Sequence, residues 1–306
     1  MRRGIIDMGT NTFHLLIAEK KKKGFKILHQ EKQAVRIGKG GISVNKITQD
    51  AISRAIDTLK QFKTTLDEFG IIEPIVTATS AVRNASNQQA FIAEIKCNTG
   101  LEVRVLSGRE EATLIYHGVQ EFVALRDETA LIMDIGGGSI EFILADHNKI
   151  KWLKSYELGG QRLIDQFHHS DPISHTEQSQ LIAFLDEQLE DLFDACRNHD
   201  AKYLIGSSGS FDTFWDIYSE QTGQKSENPK LNLNSFDEIC RELITKNRDE
   251  RLAIPGMIPM RVDMIVGASI VTRLLLERCQ MKMIEISLFA LKEGLLYHGL
   301  PKAKID

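Results

Sequence analysis

One short pattern occurs twice in this chain, at Ile5-Ile6-Asp7-Met8-Gly9-Thr10-Asn11-Thr12-Phe13 and again at Ile132-Met133-Asp134-Ile135-Gly136-Gly137-Gly138-Ser139-Ile140. Aligned, Asp7 falls on Asp134, Gly9 on Gly136 and Thr12 on Ser139, and the apolar tail Leu15-Leu16-Ile17-Ala18 falls on Phe142-Ile143-Leu144-Ala145. A repeat held in one register constrains the chain to two copies of a strand, turn, strand unit. In each copy an apolar strand delivers an aspartate to a sheet rim, where the carboxylate can hold a divalent metal or a water. Glycine then lets the backbone turn tightly and present N–H groups at close range to an anion. The hydroxyls of Thr10, Thr12 and Ser139 and the amide of Asn11 add donors that carry no charge. Either loop alone also fits a plain β-hairpin. The shared register favours two anion loops able to hold one phosphate chain between them.

At 306 residues the chain suits two domains. Its 42% hydrophobic and 26% charged fractions exclude disordered and collagen-like classes. There is no run of about 18 apolar residues, and Met1-Arg2-Arg3 leads straight into a strand, so neither a membrane span nor a signal peptide is expected and the cytoplasm is the expected location. Cys97, Cys196, Cys240 and Cys279 show no C-x-x-C spacing, against a zinc site or a disulfide framework. The net charge of −4, with no basic stripe interleaved with aromatics, disfavours a nucleic-acid polymer as partner. A polyanionic substrate would need local positive charge, for which Arg36, Lys39, Arg83 and Arg109 are candidates. Lys20 to Lys23 lies between two strand patterns and reads as a solvated hairpin tip.

Strands alternate with helices in both halves, which predicts an α/β architecture. Strands are expected near 3–7, 12–20, 25–37, 71–78 and 101–106, with helices over 49–69 and 87–97. The second half repeats this, with strands near 129–134, 139–146, 149–158 and 203–205 and helices near 160–168 and 175–198. A mostly helical last third ends in a strand at 283–286 and a helix over 290–298. The predicted organisation is two lobes, 1–123 and 124–306, with a cleft between them and the last helix free to pack back on the first lobe.

The helix from Gly108 to about Val123 joins the halves. Ser107 and Glu110 form a capping box at its start. Glu111 shares a face with Leu114, Ile115, Gly118 and Phe122, and a carboxylate on an apolar stripe must be paired or face a wet cleft. A general base that takes a proton from water is the favoured role, a surface glutamate at the stripe's edge the alternative. Glu141, two residues after Ser139 on a strand, points to the same side of the sheet as that serine, and water orientation or metal contact is its expected role. Gly206-Ser207-Ser208-Gly209-Ser210, a strand running into a helix N-terminus, is a further candidate anion site.

Together with Ser80-Ala81-Val82-Arg83-Asn84-Ala85, Ser107-Gly108-Arg109-Glu110-Glu111-Ala112 and Leu291-Lys292-Glu293-Gly294, these segments resemble the exopolyphosphatase and guanosine pentaphosphate phosphohydrolase family over nearly the whole chain. The resemblance implies a two-lobed actin-like ATPase and sugar-kinase (ribonuclease H-like) fold. It also implies a Mg²⁺- or Mn²⁺-assisted attack of water on a terminal phosphate. Glu111 matches the family's base, Asp134 and Glu141 match carboxylates that organise metal and water, and Arg83 matches an arginine beside the phosphates. Asp7 joins the expected metal ligands. Thr10, Asn11, Thr12, Gly136, Gly137, Gly138, Ser139, Ser208, Gly209 and Ser210 make up the expected phosphate-binding set. The implied substrate is inorganic polyphosphate, with pppGpp the alternative; a non-catalytic phosphate sensor is the third reading. Homodimers are common in the family. The C-terminal helical domains of longer members are not in this sequence, which argues against a strong preference for very long polymers.

Overall fold

The computed structural model describes residues 1–301. The chain forms two compact units, one made of Met1–Gly118 with the segment from Ala290 onward, the other of Val119–Phe289. The sequence suggests a boundary at 123/124; the structure divides the chain at Gly118, within the joining helix, and returns the last helix to the first unit.

In the first unit, β1 (Arg2–Met8), β2 (Phe13–Lys20), β3 (Phe25–Gln33), β4 (Ile75–Ala78) and β5 (Val103–Val105) form a sheet in the order β3-β2-β1-β4-β5. β1, β2 and β3 pair antiparallel, whereas β4 and β5 run parallel to β1. α1 (Gln49–Glu68), α2 (Ser80–Arg83), α3 (Gln88–Thr99) and α4 (Gly108–Gln120) complete the connections. α1 forms because Thr48 caps it by accepting from Ala51 N–H, and because Ala51, Ala55, Leu59, Phe62 and Leu66 recur at helical spacing. That stripe is buried in one core with Ile6, Met8, Leu15 and Ile17 of the sheet. Each large side chain so buried contributes about 1.5–3 kcal/mol.

The second unit repeats the order. β6 (Ala130–Ile135), β7 (Ile140–Ala145), β8 (Ile150–Tyr156), β9 (Tyr203–Ser207) and β11 (Ile284–Ser287) run β8-β7-β6-β9-β11, with the short β10 (Lys230–Leu231) added at the edge. β6, β7 and β8 are antiparallel, and β9 and β11 parallel to β6. α5 (Gly160–Phe167), α6 (His175–Gln188), α7 (Glu190–Asn198), α8 (Ser208–Thr222), α9 (Leu233–Thr245), α10 (Arg248–Leu252) and α11 (Met264–Arg278) build a second core around this sheet. Every residue of β6 and β7 is buried, as in a sheet covered on both faces. Two sheets of one order, three antiparallel strands followed by two parallel ones, are the duplicated ribonuclease H-like arrangement expected from the sequence. No described helix is long and apolar enough to cross a membrane.

The last helix, α12 (Leu291–His298), belongs to the first unit, where Arg3 Nη1 donates to the Leu296 carbonyl over 2.6 Å. Its Gly294 meets Gly118 of α4 backbone to backbone. A β-carbon at 294 would lie 1.9 Å from the Leu114 carbonyl oxygen, and one at 118 would lie 2.0 Å from that of Ala290. The two helices cross at a distance only glycine permits.

Several boundaries differ from the sequence reading. The strand expected from Ile71 starts at Ile75, after Pro74, while Ile72 is 89% exposed in the turn before it. The strand expected to run to 37 stops at Gln33, and residues 35–38 instead fold onto the first loop. The helix expected over 175–198 is two helices with a break at Leu189. α4 ends at Gln120 rather than near Val123.

Candidate active site

The two repeated loops are built alike. In the first, Gly9 N–H donates to the Thr12 carbonyl over 3.1 Å and Met8 pairs with Phe13; in the second, Gly136 N–H donates to the Ser139 carbonyl over 3.0 Å and Ile135 pairs with Ile140. The sequence alignment of the repeats is therefore also a structural one.

What holds each loop decides which way its donors face. In the second loop the carbonyls of Gly136, Gly137 and Gly138 accept, in turn, from Gly160 N–H at 2.9 Å, Gln161 N–H at 2.8 Å and Arg162 Nε at 3.0 Å. All three donors come from the first turn of α5. A trans peptide points its C=O and N–H in opposite directions, so carbonyls drawn back to α5 turn the amides of Gly137, Gly138 and Ser139 away from it. The loop thus presents three consecutive N–H groups on one side, the backbone arrangement that binds anions. In the first loop the Thr10 and Asn11 carbonyls accept from Gly38 N–H at 3.1 Å and Arg36 N–H at 2.9 Å, with Arg36 in the left-handed region at φ 53. The same logic turns the Asn11 and Thr12 amides outward. Thr10, Thr12 and Ser139 are all buried.

Beside each loop, a row of polar residues crosses the sheet at one register level. In the second unit it reads Ser155, Glu141, Asp134, Ser207, each the direct cross-strand partner of the next, so the side chains share one face. Ser155 Oγ donates to Glu141 Oε1 over 2.7 Å and Ser207 Oγ to Asp134 Oδ2 over 3.0 Å. Glu141 is 1% exposed and Asp134 6%. Burial pushes the Asp134 carboxyl up from 3.8 to about 6, against the opposing pull of the Ser207 and Ser208 hydroxyls and the Arg261 guanidinium. The cause is loss of water around the carboxylate, which the nearby guanidinium and hydroxyls offset only in part. The matching row of the first unit reads His14, Asp7, Thr77. A histidine stands where the second unit has Glu141, so the two rims have diverged in chemistry while keeping their geometry. Among the described residues, no group of three or more His, Cys, Asp or Glu gathers as a metal cluster.

Glu111 lies in the first turn of α4 and is buried, 6% exposed. Arg83, at the end of α2, donates through Nη1 to Glu111 Oε2 over 2.7 Å and to the Leu106 carbonyl over 3.2 Å. Two residues placed by different motifs are thereby brought together. The predicted capping box forms alongside, with Ser107 N–H to Glu110 Oε2 at 2.9 Å and Glu110 N–H to Ser107 Oγ at 3.2 Å. Arg36, Lys39 and Arg109, the other basic candidates, are exposed.

The segment after β9 is strained. Ser208 opens α8 at φ 71, a left-handed conformation that costs a non-glycine residue about 1–2 kcal/mol. The N-cap Ser207 makes no side-chain cap bond because its hydroxyl serves Asp134. Gly209 has a reason for being glycine that the sequence did not reveal. A β-carbon there would fall 2.2 Å from Nη2 and 2.5 Å from Nε of Arg261, whose guanidinium lies over the α-carbon. Arg261, a residue missed in the sequence, is 6% exposed and has Asp134 and Asp212 as its charged neighbours. The one available signal was a cation just before the apolar run that becomes α11.

Fold and site define an α/β protein with two anion loops, a carboxylate pair and a buried glutamate–arginine pair. A profile of the Ppx/GppA phosphatase family matches residues 16–303, and the chain belongs to that family. The crystal structure of an exopolyphosphatase from Cytophaga hutchinsonii is 43% identical, with a TM-score of 0.94 over 98% of each chain. Exopolyphosphatase 1 of Mycobacterium bovis is 25% identical over 98% of this chain and 88% of its own length. The guanosine-5'-triphosphate,3'-diphosphate pyrophosphatase of Aeromonas salmonicida is 25% identical over 95% of this chain, which spans 58% of that relative's length.

Proposed function

We propose that this protein hydrolyses the terminal phosphoanhydride bond of inorganic polyphosphate and releases orthophosphate. The observation that carries the reading is the second loop, whose three outward amides adjoin the cross-strand pair Asp134 and Glu141. Uncharged donors hold phosphoryl oxygens and stabilise the charge that develops on them without competing for a metal. Glu111, fixed by Arg83, accepts the proton of the attacking water, a role worth about 10²–10⁴-fold in rate. Thr10, Asn11 and Thr12 bind phosphate in the first unit, and Ser208, Gly209 and Ser210 in the second.

Mg²⁺, or Mn²⁺ in its place, is part of the proposal. Two adjacent carboxylates, one of them held from ionising by burial, suit a hard cation that completes its shell with water and phosphate oxygens. Asp134 and Glu141 would hold it, with Asp7 as the corresponding carboxylate of the first unit; bound there, it would neutralise phosphate charge. The activity is placed in the cytoplasm and the protein in homodimers as part of the same reading.

The high identity to the Cytophaga exopolyphosphatase supports polyphosphate, and the Aeromonas relative supports pppGpp as the second substrate to test. The experiment is orthophosphate release from tripolyphosphate, long polyphosphate, pppGpp and ATP, with Mg²⁺, Mn²⁺ or a chelator. Metal-dependent release from polyphosphate supports the proposal, and faster release from pppGpp reassigns the substrate. Binding without release from any of the four would make the protein a phosphate sensor.

A further inference from the structure

The carbonyls that fasten the two loops from behind are not all held alike. Those of Thr10, Asn11, Gly136 and Gly137 accept from neutral backbone N–H groups, whereas that of Gly138 accepts from the Arg162 guanidinium, through Nε at 3.0 Å. A charged donor makes a stronger hydrogen bond than a neutral one and polarises the group that accepts it. The Gly138 carbonyl and the Ser139 N–H belong to one peptide, so electron density drawn to that oxygen makes the outward Ser139 amide a stronger donor. Glu157 steers the far edge of the guanidinium through an ion pair of 3.5 Å to Nη2, and the Arg162 side chain is only 17% exposed.

The backbone behind the loop brings Arg162 to that carbonyl. Gly159, the N-cap of α5, packs against the loop so closely that a β-carbon there would fall 2.4 Å from the carbonyl carbons of Gly137 and Gly138 and from the Gly138 nitrogen. Those atoms are backbone, which cannot swing aside as a side chain does. Arg162 follows three residues later, on the same face of the first turn.

We propose that Arg162 is a positioning residue for the second loop, fixing the Gly138–Ser139 peptide and strengthening the Ser139 N–H toward the phosphoryl group being transferred, with Gly159 setting the separation that allows it. The reaction it serves rests on the hydrolase reading; the contact with the loop does not. Charge on the phosphoryl oxygens grows on the way to the transition state, so a stronger donor there favours the transition state over bound substrate. The guanidinium itself does not touch substrate. The competing accounts are direct binding of the phosphate chain by Arg162 and a role in folding alone.

The test uses Arg162→Met, Arg162→Lys and Gly159→Ala, each checked for folding by its urea midpoint. Orthophosphate release from tripolyphosphate with Mg²⁺ gives kcat and KM, and calorimetry in a Glu111→Gln background gives tripolyphosphate affinity. The Ser139 amide proton is followed by NMR in the free protein. Removing an oxyanion donor outright costs about 10²–10³-fold in kcat, so Arg162→Met, which weakens one, is expected to lower kcat about tenfold. Affinity should stay within about threefold, as for an interaction strengthened in the transition state, and the Ser139 amide should move upfield. Lysine, whose ammonium also brings charge to the carbonyl, should recover part of both the rate and the shift. Gly159→Ala keeps the arginine but displaces the loop, and should lower kcat and move the same amide.

Wild-type kcat in folded Arg162→Met overturns the proposal, as does an unmoved Ser139 amide. A loss confined to affinity and erased by salt also overturns it, making the arginine a direct contact of the phosphate chain. A lower urea midpoint with kcat and the amide unchanged would leave folding as its task. If Arg162→Met does not fold, wild-type kcat with an unmoved amide in Gly159→Ala overturns the proposal. Absence of orthophosphate release by the wild type would sink the hydrolase reading, whereas the Ser139 amide, read without substrate, would still report whether Arg162 acts on the loop.

Discussion

Glu111 is where sequence and structure agree most closely at the level of single residues. Its place on an apolar face demanded a partner or a wet surface, and the structure supplies Arg83 at 2.7 Å. Glu111→Gln is expected to lower orthophosphate release by about 10²-fold or more while tripolyphosphate affinity, read by calorimetry, stays within about threefold. Equal losses in both would make Glu111 a binding residue.

Asp134 allows a prediction about stability. Its carboxyl titrates near 6 in the folded chain against an ordinary 3.8, so the folded state holds the proton more tightly than the unfolded chain. The stability this brings is fully present below pH 3.8 and is lost as pH rises through about 6, an effect of about 3 kcal/mol. In chelator, Asp134→Asn should therefore unfold at higher urea than the wild type at pH 7.5, with the advantage gone near pH 4. An unchanged difference across that range would mean the carboxylate is not desolvated. These residues were legible because each sat in a repeated or periodic pattern. Arg261 sat in neither, and only the three-dimensional contact with Gly209 singles it out.

At the scale of elements, the strands and their succession along the chain were readable because alternation and turn residues mark them, and the repeat gave each half as a check on the other, whereas their order within each sheet came only with the structure. The errors fell where no local signal exists. Leu181, Leu185, Leu189, Leu192 and Cys196 are all buried and keep helical spacing across the break at Leu189, so periodicity could not find it. The turn before β4 carries Ile71 and Ile72, apolar residues that imitate a strand, although Ile72 is exposed. The crossing of α4 and α12 was equally silent, since a single glycine in each helix says nothing about its partner. Gly294→Ala should lower the stability of the first unit by about 1–3 kcal/mol through overpacking against the Leu114 carbonyl. An unchanged urea midpoint would show that the helices can part at no expense. Ser107→Ala, which removes the cap of the helix that carries Glu111, should lose about 1 kcal/mol in the same assay.

At the scale of the whole molecule, the chain builds two cores from one repeated plan, and the second unit is inserted between α4 and α12 of the first. A truncation before Ala290 should therefore injure the part of the protein most distant in sequence. Amides of β1 and β2 should lose protection from hydrogen exchange while those of β6 and β7 keep theirs. Equal loss in both sheets would argue for one cooperative unit. The contact between Gly209 and Arg261 has a consequence for descent. A β-carbon at 209 and a guanidinium from 261 claim the same volume. Position 209 cannot gain a side chain while 261 stays arginine, so the glycine is tied to the arginine though the arginine is not tied to the glycine. In a relative where 209 has gained a side chain, 261 should have ceased to be arginine, whereas glycine at 209 is free to outlast the arginine.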